Sequence, residues 1–268
     1  DTVSASLLPT GSIAYLFFAD RVNQLPLGVI GVAVGTALLP LLSRQVRAGE
    51  QAAALHSQNR AIEFSLLLTL PAAAALMVIA EPLIRVLFER GQFGVVETAA
   101  TAAALGVYAA GLPAYVLVKA LAPGYFARED TSTPVKISLF CLTINLVLNL
   151  ILMGPFKHVG IAMATAVSSW INAGLLAYVL HGRGHLVIDQ RLKSRLPRVI
   201  LASAAMGLGL YGALGPLAPG LAGSLAERVT SLGLLVVGGM AVFGALVLAT
   251  GAARPADLKS FFRPSPAD

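Results

Sequence analysis

The stretch FFADRVNQLPLGVIGVAVGTALLP, Phe17 to Pro40, places Asp20, Arg21 and Gln24 inside a run otherwise apolar enough to cross a bilayer. An ionised side chain at the middle of a membrane helix costs about 2.5 to 3.5 kcal/mol on insertion scales, and such residues face a bundle interior or a wet cavity. The stretch therefore reads as a membrane helix carrying a buried cationic site at Arg21. Asp20 is adjacent, but consecutive helix residues do not face each other. Arg21 is thus expected to find its partner elsewhere, in an anionic ligand or a carboxylate on another part of the protein. Pro26 removes a backbone donor and kinks the helix, while Gly28, Gly31 and Gly35 leave room for another backbone to approach closely. Pro26 and Gly28 mark a hinge beside the charge.

The remaining sequence agrees with a membrane setting. Of 268 residues, 57% are hydrophobic and 12% charged, against about 25% charged in soluble domains. Apolar runs of about 20 residues, rather than the ten-residue alternation of barrel strands, predict an all-α, polytopic transmembrane helix bundle. The net charge of +6 then marks cytoplasmic loops rather than a nucleic-acid partner. A single cysteine, Cys141, excludes an internal disulfide and a cysteine zinc cluster. His56, His158, His181 and His185 lie at helix ends or in loops, and without HExxH, phosphate-loop or nucleophile motifs the chain does not read as an enzyme. The opening DTVSASLLP lacks the basic region and long apolar core of a signal peptide. Residues 1–8 are expected to be the end of a helix already under way, so that the chain is a fragment.

Full spans are expected at 12–43, 61–80, 96–122, 133–153, 159–181, 197–215 and 228–250. By alternation, the basic loops 44–60 and 182–198 and the tail with Arg254, Lys259 and Arg263 share one side, which the positive-inside rule makes cytoplasmic. Three motifs stand between spans. FERGQF, Phe88–Phe93, reads as a short amphipathic turn or as a loop cap with a solvated Arg90. YFAREDTSTPVK, Tyr125–Lys136, reads as a helix cap, with substrate contact as the alternative. The 182–198 segment reads as an interfacial helix or a basic anchor.

Counting from the outer helix ends at 1.5 Å per residue puts Asp1, Arg21, Asn145, Asn149 and Thr165 at one level, about 8 to 14 Å deep. Asp1, Asn145, Asn149 and Thr165 are oxygen donors, the ligand type a hard cation such as Na⁺ prefers. Interhelical hydrogen bonding is the favoured reading of the Asn and Thr residues from the sequence alone.

ADRVNQLPLGVIGVAVGTALLPLLS (19–43), FERGQF (88–93) and KALAPGYFAREDTSTPVK (119–136) together resemble the MurJ (MviN) lipid II flippases of the multidrug/oligosaccharidyl-lipid/polysaccharide exporter superfamily, over essentially the whole chain. The resemblance implies a protein of fourteen transmembrane helices, of which this chain holds the second lobe and two extra helices. Residues 1–181 would be that lobe, 182–196 a cytoplasmic basic linker, 197–250 two additional helices forming a groove for the lipid tail, and 251–268 a cytoplasmic tail. The implied activity is the transfer of lipid II, the undecaprenyl-pyrophosphate-linked peptidoglycan precursor, from the inner to the outer leaflet of the bacterial cytoplasmic membrane by alternating access. Arg21 matches the family's essential arginine of this lobe, which holds the pyrophosphate together with arginines of the N-terminal lobe, and Asp20 matches the acidic member of the same motif. Gln24 stands where relatives often carry Glu. The resemblance also implies a Na⁺ site at Asp1, Asn145, Asn149, Ile161 (through its carbonyl) and Thr165, with Asn149 in place of an acidic residue. Implied partners are lipid II, the missing N-terminal lobe and the cell-wall synthesis machinery. An exporter of another polyprenyl-linked saccharide or of a drug, and a non-transporting membrane scaffold, are the alternatives.

Overall fold

Backbone polar groups in a bilayer have no water to bond to, so a long apolar run must satisfy them internally as a helix. In the computed structural model, which describes residues 11–252, the chain forms α1 (Ser12–Arg47), α2 (Gln51–Val78), α3 (Ala80–Phe88), α4 (Val95–Phe126), α5 (Ser132–Gly182), α6 (Gln190–Ala222) and α7 (Leu225–Ala249). Six of these are long and apolar enough to cross a membrane. The expected remnant over 1–8 and the basic tail residues lie outside the described residues.

At 51 residues, α5 would be about 76 Å long if straight, more than twice the roughly 30 Å hydrocarbon core. It breaks at Lys157, where φ is 51° and ψ −131°. A Cβ on Gly160 would lie 2.2 Å from the Leu152 carbonyl oxygen, and Asn145 reaches the Ser168 hydroxyl at 3.2 Å. The two arms, 132–156 and 158–182, therefore fold back on each other as an antiparallel hairpin, in the places expected for two separate spans.

The central helix is α4, which packs against α1, α2, α3 and α5. Its buried positions include Ala102, Ala104, Ala109, Ala114 and Ala120, small residues that let neighbouring helices approach. The first arm of α5 instead turns Leu139, Phe140, Leu142, Leu146, Leu150 and Ile151 outward, an apolar surface suited to lipid. The described chain is a multi-pass membrane bundle.

At one end of the bundle, Phe88 and Phe93 close on Phe18 of α1, with ring centroids 4.8 and 5.4 Å away. Glu89 accepts from Arg85 at 3.3 Å, from the Thr98 hydroxyl at 3.1 Å and from Arg228 of α7 at 3.1 Å. FERGQF is thus a clasp joining α1, α3, α4 and α7. Only the exposed Arg90, which donates to the Leu87 carbonyl, matches the loop-cap reading.

The opposite end is basic. Asp130 accepts from the Thr133 backbone N–H at 3.0 Å, from Ser132 at 3.1 Å and from Arg183 at 2.5 Å. Hydrogen bonds from Thr133 and Arg183 hold its carboxyl well below the usual carboxylate range. The cap reading of Tyr125–Lys136 describes this geometry. No separate interfacial helix forms over 182–198: α6 starts at Gln190, seven residues before the expected span, because Asp189 caps it by accepting from the Leu192 N–H at 2.7 Å. Two of its basic residues, Arg191 and Arg195, turn inward, while Lys193 and Arg198 stay exposed. Glu63 of α2 pairs with Arg60, with Arg191 at 3.3 Å and with Arg195 at 2.7 Å, and Arg60 also meets Asp189.

Both members of the Glu63–Arg195 pair are nearly inaccessible, their side chains 11% and 10% exposed. Removing one member of a buried ion pair costs about 3 to 5 kcal/mol. Glu63→Ala is accordingly expected to lower the unfolding midpoint in detergent strongly, and Arg195→Ala added to it to lower the midpoint by much less than Arg195→Ala alone. Additive losses in that double-mutant cycle would mean that the pair carries no coupling. Further along, α6 and α7 pack on α2 and on each other, with Gly207 beside Ala74 and Val78 and Gly239 against Leu210.

Candidate functional site in the first membrane helix

Because α1 is helical from Ser12 to Arg47, Asp20 and Gln24 stand one turn apart on one face. The Gln24 amide donates to the Asp20 carboxylate. Arg21 points elsewhere: its guanidinium lies over the Phe17 ring, 4.8 Å from the centroid. It is exposed on the bundle surface and has no ion pair among the described residues. The Asp20 carboxylate makes no direct ion pair with the neighbouring arginine, as the sequence spacing requires, and the stacked guanidinium keeps its donors for a ligand.

The helix continues through Pro26 and Pro40, and Gly28 and Gly35 have nothing within 4 Å of where a Cβ would stand. Among the described residues, the close backbone approach expected at the α1 glycines does not occur. Apolar side chains such as Ile30, Val34 and Leu38 of α1 with Val116 and Ala120 of α4 make the helix contact instead. Gly31 alone among the three is covered, by the Lys119 side chain of α4.

Across the α1–α4 seam, Tyr108 packs in one cluster with Ala19 and Val22, the residues flanking Asp20 and Arg21. The Tyr115 hydroxyl is buried without a hydrogen-bond partner and stands 2.6 Å from a Cβ built on Gly111. Ile161 and Ala162 of α5 pack in one apolar cluster with Ala19 and Val22, the residues flanking Asp20 and Arg21. Of the expected oxygen donors, the Ile161 backbone is thereby brought to the part of α1 that carries Asp20 and Arg21.

Those donors converge. Asn149, 2% exposed, donates to Asn145 Oδ1 at 3.0 Å, Asn145 donates to Ser168 at 3.2 Å and weakly to Thr165 at 3.5 Å, and Thr165 donates to the Ile161 carbonyl at 3.0 Å. An oxygen pair 3.0 Å apart, as in Thr165 and Ile161, suits neighbouring ligands of a hard cation bound at about 2.4 Å. The Asn145 bonds to Ser168 and Thr165 also join the two arms of the α5 hairpin by themselves. All four donors are neutral, and Asp1 lies outside the described residues. Among the described residues, no group of three or more His, Cys, Asp or Glu side chains is placed to hold a metal.

Sequence reasoning missed Glu63, Glu89 and Lys119. Lys119 was legible: it is an ionised residue inside the expected 96–122 span, the same signal that singled out Arg21. Glu63 and Glu89 owe their roles to arginines more than a hundred residues away, which spacing does not reveal.

Residues 1–230 match the family described as "Lipid II flippase MurJ". The chain is 46% identical over 245 residues to a "Probable lipid II flippase MurJ" of Rhizobium meliloti (strain 1021), covering 91% of this chain and 46% of that protein. It is 35% identical over 260 residues to the protein of the same description in Vibrio cholerae, covering 97% and 49%. Among solved structures, lipid II flippase MurJ in an inward closed conformation superposes with a TM-score of 0.73 at 24% identity, over 91% of this chain and 48% of that one. A MATE transporter in a bent conformation superposes at 0.59 and 18% identity, over 97% and 62%. Both share the fold. The chain spans about half the length of the curated relatives it matches. With the motifs of α1, α3 and α4 in place and the match running from residue 1 to 230, the chain belongs to the lipid II flippase MurJ family.

Proposed function

We propose that this chain is the second half of a lipid II flippase, which moves the undecaprenyl-pyrophosphate-linked precursor from the inner to the outer leaflet of the bacterial cytoplasmic membrane by alternating access. The observation that carries this reading is Arg21, an exposed guanidinium in a membrane-length helix, stacked on Phe17 and without an ion pair among the described residues. A guanidinium stays charged at that depth and grips phosphate bidentately. Asp20, engaged by Gln24, leaves it available. An organic-cation exporter has no use for an unneutralised cation on its cavity wall, and a scaffold has no need of the desolvation cost. The N-terminal half supplies the facing wall. The basic end, with Arg60, Arg183, Arg191 and Arg195, supports a cytoplasmic assignment of that side by the positive-inside rule.

The test is reconstitution of the complete transporter in vesicles loaded with lipid II on one leaflet. Lipid II is expected to become accessible on the other, unaffected by an excess of a lipophilic dye cation. Transport of the dye with lipid II left in place would refute the reading.

Na⁺ fits the neutral donor set of Asn145, Asn149, Thr165 and the Ile161 carbonyl, with Asp1 as the charged member. Held there, it would bridge the two arms of α5 at the level of Arg21. Replacing Na⁺ by choline is expected to slow lipid II translocation about tenfold, the loss of one charge-assisted contact, and Asn145→Ala to remove that sensitivity. A rate indifferent to Na⁺ would leave the cluster as a structural bond between the arms.

A further inference from the structure

Lys119 is a second charge inside a membrane helix, and the reading above gives it no role. It stands seven residues before the end of α4 at Phe126, about 10 Å inside the helix. It is exposed, with no ion-pair or hydrogen-bond partner among the described residues. A lysine that only sought the interface would run along its own helix towards the basic end. Lys119 crosses sideways instead. A Cβ on Gly31 would lie 2.7 Å from its Cδ and 3.3 Å from its Nζ, and Ile30 packs with Val116 and Ala120 at the same level. The missing side chain of Gly31 is what lets the ammonium lie on α1.

Asp20, Gln24 and Gly31 fall on one stripe of α1, and Tyr108, Tyr115 and Lys119 on one stripe of α4. The stripes run along the α1–α4 seam, Tyr108 in one cluster with Ala19 and Val22 and the Lys119 side chain on Gly31, with Arg21 beside one end and Lys119 at the other. Ten residues separate Arg21 from Gly31, about 15 Å along the helix, too far for one diphosphate to touch both. We infer that Lys119 is a second phosphate-binding station on the same seam, nearer the basic end, which takes the diphosphate of a polyprenyl lipid before Arg21 does. This rests on the proposed function.

The test uses the complete transporter in detergent, titrated with farnesyl diphosphate, together with lipid II translocation in vesicles. Lys119→Gln is expected to weaken farnesyl diphosphate binding about tenfold, the loss of one charge-assisted contact, and to slow translocation. Lys119→Arg should retain both. Gly31→Ala, whose Cβ displaces the lysine stem, should give a partial loss with the fold kept. Inorganic pyrophosphate is expected to compete poorly; equal competition would overturn the assignment to a lipid. Parent-like binding and translocation in Lys119→Gln, with Arg21→Ala inactive, would overturn this inference alone. If Arg21→Ala were active as well, the proposed function would fall with it.

Discussion

Arg21→Ala in the complete transporter is expected to reduce lipid II translocation about a hundredfold or more while leaving insertion, expression and detergent stability unchanged. The two halves of that statement have separate grounds. Stability should hold because the guanidinium is exposed, lies over the Phe17 ring and has no ion pair among the described residues, so its removal opens no cavity and breaks no salt bridge there. Activity should fall because hydrogen bonds to charged groups contribute about 1.5 to 3 kcal/mol each, and a bidentate phosphate contact has two. Arg21→Lys should recover part of the rate, since an ammonium keeps the charge and loses the planar fork. Leaflet accessibility of lipid II, scored by an impermeant reagent, is the measurement. An alanine variant that translocates normally would remove Arg21 from the mechanism, whereas a variant that fails to insert would show it to be structural.

The second large effect lies at the α5 hairpin. Gly160→Ala drives a methyl group to 2.2 Å from the Leu152 carbonyl oxygen and 2.6 Å from its carbon. These are backbone atoms, which cannot swing aside as the end of a side chain can. Overpacking of this kind costs about 1 to 3 kcal/mol, occasionally more, and the high end is expected here. The arms would be forced apart, and the Asn145–Ser168 bond at 3.2 Å would lengthen with them. Three residues away the sign reverses. Lys157 holds φ at 51°, a region that glycine occupies without penalty and other residues at a cost of about 1 to 3 kcal/mol. Lys157→Gly should therefore raise the unfolding midpoint in detergent while Gly160→Ala lowers it sharply. Equal effects of the two glycine exchanges would contradict the hairpin geometry.

Why parts of the molecule were legible in advance follows from the range over which each signal acts. Helix positions and the level of the polar residues come from hydropathy and a fixed rise per residue, both local quantities, so the expected spans recur as helices or helix arms. The absence of a direct Asp20–Arg21 ion pair also follows from local geometry. What spacing cannot carry is the choice of distant partners. The basic run at 182–198 looked like a surface anchor until Arg191 and Arg195 were found on Glu63, 128 and 132 residues away. FERGQF became a clasp only once Arg228, 139 residues from Glu89, was brought to it. The Gly28–Gly35 series shows the same limit: three small residues permit a close crossing, but the neighbour decides whether one occurs, and among the described residues Lys119 is what comes near.

The two carboxylates that received those arginines fasten α6 and α7 to the bundle at opposite ends, Glu63 through Arg195 and Glu89 through Arg228. The terminal pair is therefore braced like a truss against α2 and α3. Among the described residues α1 has no ion pair to any other helix and meets α4 largely through apolar side chains. Such an interface works as a greased bearing. In a cycle that alternates between two open faces, spin labels on α2 and α6 should hold their separation while those on α1 and α4 change theirs.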